Sequence, residues 1–145
     1  MKNKYKLLLI RIAYWWGAIG DALLAIEMFF SALMGVQSPF TGLGLTIIGG
    51  VQYQYAMCLA ATFMFGWTFL LIWADRKPIE RKDIILLTLP IIVGIQISKI
   101  LAYNFGLINF EIMLGYTIQR IIFLSFCVFC YFLALKWKQN EIRIV

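Results

Sequence analysis

Asp75-Arg76-Lys77-Pro78-Ile79-Glu80-Arg81-Lys82-Asp83 runs straight into Ile84-Ile85-Leu86-Leu87-Thr88-Leu89-Pro90-Ile91-Ile92-Val93-Gly94-Ile95-Gln96-Ile97-Ser98-Lys99-Ile100-Leu101-Ala102-Tyr103. A short, densely charged turn gives way to an apolar run of about 20 residues, which at 1.5 Å per residue crosses a hydrocarbon core of about 30 Å. The stretch immediately before the turn, residues 55–74, is apolar over a similar length. A short charged connection between two such runs predicts a helical hairpin. Arg76 and Lys77 suit the negative end of the preceding helix, and Asp83 suits the positive start of the next.

Working outward, two more runs of this kind appear, at residues 8–34 and 112–135. Helices are the expected spanning form, because lipid cannot hydrogen-bond a backbone left unpaired. The composition agrees. Hydrophobic residues make up 63% of the 145 and charged ones 14%, against about 45–50% and about 25% in soluble domains. A soluble fold of this size could not cover so much apolar surface. The expectation is therefore an all-α, integral membrane, antiparallel four-helix bundle forming a single domain over residues 1–145.

Basic residues set the orientation. Lys2, Lys4, Lys6 and Arg11 precede or open the first span. Arg76, Lys77, Arg81 and Lys82 fill the turn, and Lys136, Lys138 and Arg143 follow the last span. Of the 13 Lys and Arg residues only Lys99 and Arg120 lie elsewhere. The other two connections, residues 35–54 and 104–111, carry no basic residue. Both termini are thus expected inside, and the protein is expected in the cytoplasmic membrane of a prokaryote. The net charge of +6 is accounted for by this topology and by anionic lipid, so no nucleic-acid partner is expected. The N-terminus starts like a signal peptide, but Arg11 interrupts its apolar run and no small-x-small cleavage site follows; it reads as an uncleaved first helix. Residues 36–50, uncharged and broken by glycine, are too short to cross twice. They are expected along the outer interface or folded back onto the bundle.

Histidine is absent, which removes the commonest metal ligand and the usual proton carrier near neutral pH. No metal site or cofactor is expected. Cys127 and Cys130 make a CxxC pair, but Phe126, Phe129 and Phe132 surround it, and apolar surroundings make thiols unreactive. Inert packing is the preferred reading. Ala13, Gly17, Asp21 and Ala25, and likewise Ala56 and Ala60, recur every four residues. Such spacing suits close helix packing within the chain or, alternatively, a homodimer seam.

Function is sought in four ionisable residues inside the spans: Asp21, Glu27, Lys99 and Arg120. Charges at this depth usually face a bundle interior or a wet cavity. With span centres near Asp21, Val93 and Leu124, Asp21 lies near the midplane, Glu27 and Lys99 about 9 Å outward and Arg120 about 6 Å outward. Two acids and two bases thus meet in the outer half. Gly17, Gly20, Asp21, Leu24, Glu27, Met28 and Ser31 fall within one broad sector of the first helix, Gln96, Lys99 and Tyr103 share one helix face, and Tyr116 neighbours Arg120. The expected ligand or ion site comprises Asp21, Glu27, Gln96, Lys99, Tyr103, Tyr116 and Arg120. The alternative is a purely structural charge network, with Lys99 snorkelling to the surface.

No catalytic motif is present, and a non-enzymatic role is favoured. The leading expectation is a transporter or channel for a small ion or solute. The alternatives are a lipid- or amphiphile-binding membrane protein, with enzymatic activity left open, and an accessory subunit of a membrane complex. Membrane lipid is the expected partner, with a homo-oligomer or a larger membrane protein as further candidates.

Overall fold

A computed structural model describes residues 2–34, 50–106 and 108–142, with side chains at 4–34, 50–106 and 108–137. The reading of residues 36–49 as an interfacial or re-entrant segment lies outside the described residues, as do Arg143 and the side chains of Lys2 and Lys138.

Four helices follow one another: α1 (Lys2–Met34), α2 (Val51–Asp75), α3 (Asp83–Asn104) and α4 (Phe110–Ile142). The shortest, α3, has 22 residues, a length of about 33 Å. All four are long and apolar enough to cross a membrane, and the chain is a multi-pass membrane four-helix bundle. The helices outrun the apolar segments. α1 starts at Lys2 and α4 continues to Ile142, because lysines such as Lys4, Lys6 and Lys136 are good helix formers and carry the backbone past the apolar stretch.

Hydroxyls inside the spans are satisfied locally. Thr62, Thr68, Thr88, Ser98 and Thr117 each donate to the carbonyl four residues earlier, at 2.8–3.1 Å. This leaves no free hydroxyl donor at those positions in an apolar medium. The α3–α4 connection turns at Gly106, whose φ of +69° is the left-handed conformation that glycine adopts without steric cost after a helix end. Across this turn the Tyr103 and Phe110 rings lie 6.1 Å apart.

α1 packs along α2, α3 along α4, and α1 against α4 joins the two pairs. Small residues permit the first contact: Ala13, Ala18, Ala25 and Ala32 are buried on α1, and Ala61 and Ala74 on α2. Gly17 marks the closest approach, where an added Cβ would meet Leu71 Cδ1 at 3.0 Å and Phe123 at 3.6 Å. The small-residue stripe expected on α2 is corrected: Ala56 is exposed and Ala60 half-buried. The buried residues of α2 are Ala61, Thr68, Leu71, Ala74 and Asp75 instead.

The core is concentrated toward the basic end of the bundle. Ile10, Ala13, Tyr14 and Ala18 meet Leu71 and Ala74, Ile85 and Ile92, and Phe123, Cys127, Cys130 and Ala134. Both α4 cysteines are free and buried. Cys130 Sγ donates to the Leu9 carbonyl oxygen at 3.5 Å, a weak bond between α4 and α1.

Candidate functional site

Two clusters of charge stand between the helices at different levels of the bundle. At the basic end, Arg11 grips Asp75 through two parallel hydrogen bonds, Nε to Oδ1 at 2.9 Å and Nη2 to Oδ2 at 2.8 Å. Trp15 Nε1 donates to the same carboxylate at 3.1 Å. One turn of helix places Arg11 and Trp15 on one side of α1, so both reach the end of α2. Tyr14, fully buried beside them, donates its hydroxyl to the Arg81 carbonyl oxygen at 2.9 Å. This fixes the α2–α3 turn against α1. Arg81 in turn lies over the Trp73 ring, 3.3 Å from its centroid, and donates to the Trp73 carbonyl oxygen. Every charge in this clasp has a partner.

Sequence reading missed the clasp. It placed Arg11 among the topology-setting residues and Asp75 in the charged turn, whereas Asp75 is the last residue of α2 and buried. The available signal was Arg11 itself. A charge interrupting an apolar run needs a partner, and Asp75 is the acid at the matching end of the neighbouring span.

The second group surrounds a cavity of about 200 Å³ between α1, α3 and α4. α1 contributes Trp16, Gly17, Gly20, Asp21 and Leu24; α3 contributes Lys99; α4 contributes Tyr116, Gln119, Arg120 and Phe123. Asp21 and Arg120 come to the same level because α1 and α4 are held in register nearby, with Trp16 and Phe123 ring centroids 5.6 Å apart. Lys99 is buried, with 7% of its surface exposed. Its ammonium sits 3.0 Å from the Tyr116 ring centroid, a cation held against the negative face of an aromatic ring. Asp21 and Arg120 act on each other electrostatically. Among the described residues, however, no direct ion pair joins Asp21, Lys99 or Arg120 to anything. Arg120 Nε is buried there without a hydrogen-bond partner.

Of the seven residues singled out from sequence, Asp21, Lys99, Tyr116 and Arg120 line this cavity. Gln96 stands one turn of α3 away and donates through Nε2 to Thr117 Oγ1 at 2.7 Å. Tyr103 is 39% exposed and stacks on Phe110 at the far turn. Glu27 is half-buried and does not line the cavity; its Oε1 has no hydrogen-bond partner among the described residues. It lies six residues from Asp21, about 9 Å along the helix and roughly 120° around it, so the broad sector expected to hold both residues does not bring Glu27 to the cavity. Trp16 and Phe123 are lining residues that charge-based reading did not select. Among the described residues no group of three or more His, Cys, Asp or Glu side chains is gathered at one place.

Comparison of the chain with protein-family models, with curated proteins and with solved structures finds no match.

Proposed function

We propose that the four helices cross the membrane antiparallel, with both termini on the cytoplasmic side, and that the cavity binds a small solute and passes it across. The orientation rests on the grouping of basic residues at one end of the bundle. The antiparallel arrangement is supported by the contacts of α1: Arg11, near its start, meets Asp75 at the end of α2, and Phe29, near its end, meets Phe65 at 6.0 Å.

One observation carries the functional reading. Asp21, Lys99 and Arg120 surround a cavity without forming direct ion pairs among the described residues. Charges whose role is to lock helices together close on one another, because an unpaired charge in low dielectric is costly. Charges held apart around a space are arranged for something that fills it. The test is uptake by liposomes containing the purified protein, using radiolabelled or dye-reported anions, cations and protons. Silence across all of them relative to empty liposomes overturns transport.

A second reading has its own observation. Trp16 is 46% exposed, and Gly20 and Gln119 are exposed beside it, so the cavity reaches the outer face of the bundle, where lipid would lie. A bound amphiphile would enter from that side with its polar head on the charged wall. Mass spectrometry of the protein released from gentle detergent distinguishes the two. A stoichiometric lipid that survives purification, together with silent uptake, favours the amphiphile.

A further inference from the structure

Resting on the proposal that the cavity binds a solute, we infer that its ligand carries a single-charge anionic group presenting two oxygens, a carboxylate or a phosphodiester, held between Lys99 and Arg120. The sequence suggested a balanced site of two acids and two bases. The geometry removes Glu27 from the lining and leaves one acid against two bases. The cavity wall therefore carries one excess positive charge. A cation placed there meets two like charges. A dianion leaves the wall negative, whereas a monoanion brings the site to neutrality.

Donor chemistry points the same way. Lysine offers three N–H donors and arginine five, and neither accepts. The Lys99 ammonium has the Tyr116 ring as its contact, and a ring face attracts a cation without supplying a counter-charge. Arg120 Nε is buried and donates to nothing among the described residues. Among the described residues Asp21 is the sole carboxylate on the wall, so donors outnumber acceptors. A two-oxygen monoanion supplies the missing acceptors in the forked geometry that a guanidinium matches. Both sources, a soluble anion and an acidic lipid head, offer this same group. Gly20 provides the room: a Cβ added there would meet nothing within 4 Å, in contrast to Gly17 one turn away.

The experiment uses full-length protein in an uncharged detergent and calorimetric titration with benzoate, benzamide, dibutyl phosphate and tetramethylammonium. A parallel measurement records lipid retained by native mass spectrometry after exchange into phosphatidylcholine nanodiscs with and without phosphatidylglycerol. Benzoate or dibutyl phosphate, or phosphatidylglycerol, is expected to bind at least tenfold tighter than its uncharged or zwitterionic counterpart. Binding by the soluble anions assigns a solute; selective retention of phosphatidylglycerol alone assigns a lipid head. Arg120→Gln and Lys99→Gln should each lose about tenfold or more, and Asp21→Asn should bind as tightly or tighter. The gain on removing an acid separates a binding wall from a merely structural network. Gly20→Leu fills the cavity from its open side and should abolish binding with an unchanged melting temperature, which guards against loss through misfolding. Equal or tighter binding of benzamide or tetramethylammonium overturns the anion assignment while leaving solute binding standing. Absence of binding by every probe overturns both.

Discussion

The two charged levels of this bundle use similar residues in opposite ways. At the basic end, one arginine and one aspartate meet at 2.8 Å, a tryptophan completes the carboxylate's hydrogen bonds, and the hydrophobic core packs around them. Farther along α1, between it and α3 and α4, one aspartate, one lysine and one arginine stand around open space. The first arrangement is closed and satisfied, and its removal should be felt as lost stability. The second is open and unsatisfied, and its removal should be felt as lost binding. The difference shows that in-membrane charge alone does not mark a site. On the proposed reading, what marks it is charge without a direct partner among the described residues.

Substitutions at the two levels differ in expected loss of stability, read as unfolding free energy in mixed micelles. Phe123 is buried between the core and the cavity. Phe123→Ala should cost about 3–5 kcal/mol and merge the two regions, weakening folding and binding together. Asp75→Ala should come next, above every other polar substitution, because it strands Arg11 and orphans the Trp15 indole. Part of its effect should fade in high salt, since Arg11 is half-exposed. Tyr14→Phe removes the hydroxyl that holds the α2–α3 turn and should cost about 1 kcal/mol. Proteolysis at the turn should accelerate in step. Lys99→Met exchanges a buried, unpaired cation for an apolar chain of similar length. It loses a ring contact but also a desolvated charge, so stability should stay within about 1 kcal/mol of wild type while anion binding disappears. A large loss of stability here would make the cavity charges structural, like those of the clasp. The smallest pair is Gly17→Ala against Gly20→Ala. The first pushes on Leu71 Cδ1 and should be neutral to slightly destabilising. The second should be neutral or stabilising by up to about 1 kcal/mol through helix propensity.

Much of the fold was legible because apolar runs and charged turns are local signals. The run at Ile84 through Tyr103 and the turn before it located α3 within a residue at either end. Helix ends were less legible, as at Val51 and Ile142, because backbone helicity does not stop where hydropathy does. The site was legible in part. Counting along the helices put Asp21 near the midplane and Arg120 and Lys99 about 6 and 9 Å outward, close enough in depth for packing to gather them around one cavity. Rotation is less forgiving: Glu27, read into one broad sector with Asp21, does not line that cavity, and Tyr103 is one turn beyond. The clasp was not read because its partners, 64 positions apart, are joined by the register of two packed helices, and no local pattern encodes that register.

That separation has a consequence for how the chain is made. Synthesis proceeds at about 5–20 residues per second, so Arg11 leaves the ribosome roughly 3–13 s before Asp75. For that interval Arg11 has no Asp75 to pair with. When the end of α2 appears, the bidentate contact can close, and the Tyr14 hydroxyl meets its carbonyl six residues later. The first two helices are thus latched by the turn that introduces α3. The clasp needs only α1, α2 and the turn after them, whereas the core beside it also draws on Ile85, Ile92, Phe123, Cys127, Cys130 and Ala134 and fills in as the second pair, with Lys99 and Arg120, is added. The cavity comes into being only at the last step, when α4 arrives.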